Sequence, residues 1–440
     1  MGDRKNIMLT RRGFIGSAAV GWMVADRARA GQDSGAPVGP LDPALVQRIR
    51  GLVLGSFIGD ALGGPIEFQA KDAVAKLSNP PKPWMPGEKL DAAARAAAAE
   101  RLGFQWRDYS ALRPVPEPYA HWGFKAPAGT ITDDSRHKLV LLEALRGAVA
   151  GDPVDVSTLA RAYLAWPTRP EVRARPGWSR LRQDWLMEWW YASRWVLGER
   201  DLARARPPER MWNGLATCCG QMTSLPLACI YAGAPDRAYE SAFTLGFFDN
   251  GWGRDLNSVL VAGLAVALVL PADLDPMSAW SSVTTAMRMT DPYGHAQIPW
   301  CQRSVDRWLG LAQRLVAEAE GEPARLFAGL DREFRDTVKW EAQVPVTVVA
   351  ACWELAGGDP LAALTLTLEW GHDTDSYAQI AGALAGALRG PGIFPESWQR
   401  AVEERLLADY GVRLDAEVEL LASLHAAART REVVRGVART

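Results

Sequence analysis

Apolar side chains recur at intervals of three and four residues along most of the chain, with polar and charged residues between them. This period is typical of amphipathic α-helices, and Pro or Gly separates one periodic segment from the next. No segment is a convincing β-strand, so the predicted fold class is all-α. In the C-terminal part the pattern predicts helices at about 278–289, 302–320, 324–338, 345–356, 361–370, 395–410 and 416–430.

Two further predicted helices carry a glycine at every fourth position. The repeat falls at Gly51, Gly55, Gly59 and Gly63 in the first, and at Gly382, Gly386 and Gly390 along the second, which spans about 376–388. Glycine inside a helix costs about 1 kcal/mol relative to alanine, so the repeat must be offset by close packing. Each helix presents a bare ridge, and we expect the two ridges to lie against each other.

Paired acidic residues precede two helices. The first pair lies in 132–135 (Thr-Asp-Asp-Ser), before a predicted helix at about 136–150, and the second in 373–376 (Asp-Thr-Asp-Ser). Asp373 and Asp375 cannot share a face of a regular helix, but they converge if they lie on a turn at its start. One such pair fits a helix cap equally well. Two pairs, each flanked by hydroxyl groups and each opening a helix, favour a metal site.

Two more carboxyl groups flank the end of the first glycine-ridged helix. Asp60 lies within this otherwise apolar helix. A buried carboxylate without a hydrogen-bond partner is costly. We therefore expect Asp60 to accept a hydrogen bond from the backbone or to contact a metal ligand. Glu67 follows the break at 63–65 (Gly-Gly-Pro), where a loop would aim it into a cleft.

Carboxylate and hydroxyl oxygens are hard ligands, which suit Mg²⁺, Mn²⁺ or Ca²⁺ better than zinc or copper. Four aspartates in one place suggest two cations with one bridging carboxylate. This interpretation requires 132–135 and 373–376 to meet in the folded chain, although more than two hundred residues separate them.

Three motifs in this order resemble those of the ADP-ribosylglycohydrolase family. That family opens with a Gly-Asp-x-x-Gly helix followed by Glu, continues with a Thr-Asp-Asp-Thr/Ser turn, and closes with Asp-x-Asp-Thr/Ser before an Ala/Gly-rich helix. Here the motifs are 59–63 with Glu67, then 132–135, then 373–376 with the Ala/Gly run at 381–387. They span residues 51–390, so the resemblance covers most of the chain.

The resemblance implies a compact orthogonal helical bundle with a binuclear Mg²⁺ or Mn²⁺ centre at one end. The metal ligands that it implies are Thr132, Asp133, Asp134, Asp373, Asp375 and Ser376. Glu67 would act as general acid and base or as a gate beside the scissile bond, together with Asp134 and Asp375 among the catalytic groups. Asp60 would contact the metal ligands rather than the metal itself and hold them in position.

By the same resemblance, the two cations hold the 2- and 3-hydroxyls of a terminal ribose and orient a water. The expected function is therefore a glycosidase that acts on the N- or O-glycosidic bond of an ADP-ribosylated protein or a small ADP-ribose conjugate. Thr223 stands where family members often have Arg, and Asn213-Gly214 lies upstream of its usual place. These departures concern the group attached to the ribose. A hydrolase of another ribosyl compound, such as a nucleoside, and a non-catalytic protein that binds ADP-ribose or metal stay open as alternatives.

The N-terminus is typical of an export signal. Residues 1–30 contain the pair Arg11-Arg12, a short apolar run and the small residues Ala28 and Ala30 at a cleavage position. This predicts a twin-arginine signal and a periplasmic or secreted protein; a basic N-terminus with a short core helix is the alternative. Residues 31–43 would then be a linker and 44–440 a single helical domain, in which the insertion 69–129 is either a lid or surface padding.

Charge and cysteine content argue against a nucleic-acid-binding protein and against a zinc site. The chain has 440 residues and a formal net charge of −2, and residues 1–30 contribute six basic and two acidic groups, so the mature chain carries −2 − 4 = −6. No basic block remains to indicate a nucleic-acid partner, and no membrane anchor is expected after signal removal. The five cysteines fit no zinc spacing, and we expect them to be mostly buried free thiols. No feature specifies an oligomeric state.

Overall fold

The structure is a computed structural model, and it describes residues 41–68, 127–147, 154–173, 188–298, 300 and 303–437. Across these residues the regular structure is helical, and the one β-type contact is an isolated bridge between Thr217 and Glu341. The prediction of an all-α fold is confirmed. The predicted signal at 1–30 and nearly all of the predicted insertion at 69–129 lie outside the described residues.

The α-helices follow one another along the chain with short connections. They are α1 Pro43–Gly63, α2 Asp133–Gly147, α3 Val156–Ala165, α4 Pro170–Arg173, α5 Cys219–Thr223, α6 Leu227–Ile230, α7 Pro235–Leu245, α8 Gly251–Ala267, α9 Pro276–Met289, α10 Ser304–Ala319, α11 Pro323–Glu333, α12 Gln343–Leu355, α13 Pro360–Trp370, α14 Thr374–Arg389, α15 Glu396–Tyr410 and α16 Leu414–Val437. Residues 188–196 are also helical. Short 3₁₀ turns occupy Gly64–Ile66, Trp166–Thr168, Pro208–Gly214, His295–Gln297 and Pro391–Ile393.

The seven C-terminal helices predicted between 278 and 430 are all present, as α9 to α13, α15 and α16, apart from shifts at their ends. α11 is the shortest relative to expectation, because it ends at Glu333 rather than at 338. The predicted starts of the two helices that follow the acidic pairs, at 136 and 376, are two to three residues too late. α2 begins at Asp133 and α14 at Thr374, so three of the four aspartates lie at or inside the first helical turn.

The glycine ridges of α1 and α14 pack directly against each other, as predicted. A methyl group built on Gly55 would lie 2.2 Å from the carbonyl oxygen of Gly382, and one built on Gly382 would lie 2.0 Å from the carbonyl oxygen of Gly55. Side chains are therefore excluded from this contact. The two helices form the most extensive helix pair in the described part of the chain, and their inner residues are buried.

The two helices run antiparallel, because Gly51 lies against Gly386 while Gly63 lies against Asp375. The C-terminal end of α1 therefore meets the N-terminal end of α14. The hydroxyl of Thr374 donates a hydrogen bond of 2.9 Å to the carbonyl oxygen of Gly63 and fixes this junction. The chemically distinctive residues of both helices are thus brought to one end of the bundle.

The remaining helices enclose this pair in an apolar core that includes large aromatic side chains such as Trp353 and Trp370. Four of the five cysteines, Cys218, Cys219, Cys229 and Cys352, are buried free thiols, as expected. Cys301 lies outside the described residues. None of the helices within the described ranges combines the length and apolar character that crossing a membrane requires.

Candidate metal centre

Three chain segments meet where α1 ends and α2 and α14 begin. The first ends in Glu67, the second contributes the turn 132–134, and the third contributes 373–376. We call five carboxyl groups at this junction the acidic cluster: Glu67, Asp133, Asp134, Asp373 and Asp375. Asp133 is half-buried, and the other four are buried. The two acidic turns predicted to meet do meet.

The acidic cluster divides into two groups that share one carboxylate. Oxygens of Glu67, Asp373 and Asp375 lie within 4.8 Å of one another, and so do oxygens of Asp133, Asp134 and Asp375. Each group is close enough to hold one cation. Asp375 belongs to both groups, which is the position that a bridging carboxylate would take. Glu67, expected beside the scissile bond, also lies within ligand reach.

Backbone contacts position the Glu67 segment against the third turn. The N–H of Phe68 donates a hydrogen bond of 2.7 Å to the carbonyl oxygen of His372. Gly371 and His372 both have positive φ, at 86° and 64°, so the chain reverses sharply before Asp373. This reversal directs Asp373 back toward Glu67. The His372 ring itself contacts Asp331 of α11 at 3.3 Å and is no part of the acidic cluster.

Asp60 and Thr132 link α1 to the start of α2. Both carboxylate oxygens of Asp60 accept from the backbone N–H of Thr132, at 3.1 Å each. The expectation that Asp60 binds backbone is therefore confirmed. The Thr132 hydroxyl accepts a hydrogen bond of 3.2 Å from the N–H of Asp134, so this side chain caps α2. Capping leaves that hydroxyl oxygen a second lone pair for a cation.

Two polar side chains that sequence reasoning did not single out lie behind the acidic cluster. Lys138 and Gln379 are buried, and each follows an aspartate of the acidic cluster by one helical turn on α2 and α14. The Gln379 amide donates to Oδ1 of Asp134 and accepts from the Lys138 ammonium. The four-residue spacing from Asp134 to Lys138 and from Asp375 to Gln379 was visible in the sequence.

Ser376 lies in the first turn of α14, buried beside the thiol of Cys218, with 3.8 Å between the hydroxyl oxygen and the sulfur. Burial raises the pKa of the nearby Asp373 carboxyl, and the Ser376 hydroxyl offsets only part of that rise. Burial and the nearby charges of Asp373 and Asp134 raise the pKa of the Cys218 thiol, which therefore stays protonated. Sequence reasoning did not place Cys218 at this site.

Burial and mutual repulsion raise the pKa of the four buried carboxyl groups of the acidic cluster. Burial raises the pKa of Asp373 to about 7. Burial and the charges of Asp375 and Asp373 raise that of Glu67 well above its usual range. Burial and the charge of Asp375 act in the same direction on Asp134. A group of negative charges this close is unfavourable unless positive charge accompanies it.

The hydrogen bonds of the acidic cluster also indicate that positive charge is required. Oδ1 of Asp375 accepts from the N–H of Ser376 at 3.0 Å, whereas Oδ2 of Asp375 and Oδ2 of Asp373 are buried and accept no hydrogen bond from the described residues. A buried carboxylate oxygen without a partner is costly. A bound cation would satisfy both oxygens. The donor set contains only oxygen, and it fits a hard divalent cation such as Mg²⁺ or Mn²⁺.

Comparison with known proteins gives one family. A family model described as ADP-ribosylglycohydrolase matches residues 41–433. One similar solved structure is titled an ADP-ribosylglycohydrolase-related protein complex; it is 18% identical, the match covers 87% of this chain and 99% of that chain, and the TM-score is 0.45. None of the curated proteins matches this chain.

Proposed function

The chain belongs to the ADP-ribosylglycohydrolase family, whose activity is the hydrolysis of ADP-ribose-type linkages, and from that premise we propose a metal-dependent reaction for it. The substrate is an ADP-ribosylated protein side chain or a small ADP-ribose conjugate, and water cleaves the bond at the ribose. One observation carries this proposal: two acidic groups share Asp375, and buried oxygens of Asp373 and Asp375 accept no hydrogen bond from the described residues.

Two divalent cations, Mg²⁺ or Mn²⁺, would be held by the carboxylates of Asp133, Asp134, Asp373 and Asp375. The hydroxyls of Thr132 and Ser376 complete the proposed ligand set. Cations bound here would supply a more acidic water and stabilise negative charge. Asp60 holds the backbone of Thr132 in place through two contacts of 3.1 Å. It therefore fixes the ligand turn without itself belonging to either acidic group.

Glu67 is the proposed general acid and base. Burial and four neighbouring aspartates raise its pKa, so its protonated form persists nearer to neutral pH. A protonated carboxyl group can donate its proton to the leaving atom of the glycosidic bond. Because Glu67 also lies within ligand reach of Asp373 and Asp375, a role as metal ligand is the competing assignment.

The first experiment titrates ADP-ribose into the mature protein by calorimetry, once with Mn²⁺ and once after EDTA treatment. We expect binding only with Mn²⁺, and loss of binding in the double variant Asp373→Ala/Asp375→Ala. Glu396→Gln, an exposed acidic position on α15, is the control and should bind normally. Equal binding after EDTA treatment would refute the metal-dependent site.

Hydrolysis is tested on N-linked and O-linked ADP-ribosyl conjugates and on nucleosides. Glu67→Gln keeps the size of the side chain and removes its acid, so we expect turnover to fall at least about a hundredfold while Mn²⁺ and ADP-ribose still bind. Weaker Mn²⁺ binding in this variant would instead make Glu67 a ligand. If only nucleosides are hydrolysed, the assignment of ADP-ribose conjugates as substrates is replaced by nucleosides. If ADP-ribose binds but no substrate is hydrolysed, the protein is a binding module.

A further inference from the structure

Lys138 is a cation in the interior beside the acidic cluster. Only 1% of its surface is exposed, and its ammonium donates to the backbone carbonyl of Asp134 at 3.1 Å. The same nitrogen lies 6.0 Å from the ring centre of Phe57. An ammonium group is rarely buried without compensation, because its desolvation is costly. The compensation here is negative charge: Asp60, Asp134, Asp375 and Asp133 all attract the ammonium.

Gln379 connects this ammonium to a proposed metal ligand. Its amide oxygen accepts from Lys138, and its amide nitrogen donates to Oδ1 of Asp134. An ammonium group has only donors and a carboxylate only acceptors, so the two partners fix the orientation of the amide. The orientation of one Asp134 oxygen is therefore set from behind by residues of two helices.

We infer that Lys138 is a counter-charge of the acidic cluster, and that it positions Asp134 through Gln379. This inference rests on the proposed function, because it concerns how tightly the proposed centre holds its cations. The acidic cluster and Asp60 together carry up to six negative charges. Lys138 offsets one of them when no cation is bound, and it repels each cation that arrives.

A counter-charge and an ordinary buried polar contact predict opposite effects on cation affinity when Lys138 is replaced. If Lys138 only filled space and hydrogen-bonded, its replacement would weaken cation binding or leave it unchanged. A counter-charge has two opposite effects, because it stabilises the metal-free fold and opposes cation binding. Removing it should therefore destabilise the metal-free protein and tighten the hold on divalent cations.

The test compares Mn²⁺ binding in three proteins by calorimetry. Lys138→Met keeps the length of the side chain and removes its charge; we expect it to bind Mn²⁺ at least about tenfold more tightly than the wild type. Gln379→Met removes the hydrogen bond to Asp134 without changing the net charge, and we expect weaker binding. The gap in melting temperature between EDTA-treated and Mn²⁺-loaded protein should widen in Lys138→Met.

Equal or weaker Mn²⁺ binding by Lys138→Met overturns the inference. If that variant does not fold in EDTA, Lys138→Met/Asp60→Asn removes one charge of each sign and should recover metal-free stability. A double variant no more stable in EDTA than Lys138→Met also overturns it. If the wild type binds no Mn²⁺, the proposed metal centre fails, while the EDTA comparison of the two variants still decides whether Lys138 is a counter-charge.

Discussion

Substituting alanine at Gly382 tests whether the contact between α1 and α14 organises the fold. The added methyl group would lie 2.0 Å from the carbonyl oxygen of Gly55 and 2.8 Å from its carbonyl carbon. Ordinary contact requires about 3.4 Å, so the two helices must separate locally by 3.4 − 2.0 = 1.4 Å. The obstacle is backbone, which cannot turn aside as a flexible side chain can.

The expected cost follows from two opposing effects. Overpacking a well-packed core typically costs about 1–3 kcal/mol and occasionally more, and both helices are enclosed by others, so separating them also opens voids elsewhere. Alanine regains about 1 kcal/mol of helix propensity. Because this clash is with backbone, we place the overpacking cost at about 3–5 kcal/mol, which leaves a net loss of about 2–4 kcal/mol.

The matched control is Gly310→Ala on α10, where a methyl group would have no neighbour within 4 Å. This variant gains helix propensity without a clash, so its stability should stay the same or rise by up to about 1 kcal/mol. Thermal unfolding of both variants is followed by circular dichroism. We expect Gly382→Ala to melt several degrees below the wild type. If it melts as high as Gly310→Ala, the steric explanation of the glycine repeat is wrong.

The contact between α1 and α14 also links the stability of the protein to its candidate metal centre. A methyl group on Gly63 would lie 2.4 Å from the backbone nitrogen of Asp375, whereas one on Gly51 would lie 2.3 Å from the carbonyl oxygen of Gly386, at the other end of the pair. Both substitutions should destabilise the protein by similar amounts. Only Gly63→Ala should weaken Mn²⁺ binding beyond what the stability loss explains. Equal Mn²⁺ affinities in the two variants would refute this link.

Three further predictions concern separate parts of the molecule. Thr132→Val removes the hydroxyl that caps α2 and is a proposed ligand, so we expect a loss of about 1 kcal/mol in unfolding free energy and weaker Mn²⁺ binding, with Thr132→Ser nearly normal. Burial raises the pKa of Asp373 and of Asp249 to about 7 each. Because both carboxyl groups titrate near 4 when unfolded, the metal-free protein should lose stability as the pH rises from about 4 through 7; a melting temperature at pH 8 equal to that at pH 5 would contradict this. Replacing Arg11 and Arg12 by lysine should block export, as cell fractionation will show, and unchanged export would exclude the twin-arginine route.

The sequence by itself determined the helices and much of the candidate site. The three-to-four spacing is local, and it gave the C-terminal helices with errors only at their ends. The glycine repeat predicted the packing of α1 on α14, because four glycines on one stripe are costly in a helix unless another backbone packs closely against them. The need of Asp60 for a donor was predictable from its apolar surroundings, and the donor is the N–H of Thr132.

The tertiary structure decided which groups share the site. Glu67 lies with Asp373 and Asp375 only because α1 and α14 run antiparallel and bring their acidic ends together. The connection from Lys138 through Gln379 to Asp134 depends on how α2 crosses α14. Crossing geometry is set by the packing of whole helix surfaces, which no local spacing specifies. The sequence therefore identified candidate ligands, and the packing determined how they are grouped and which buried cation accompanies them.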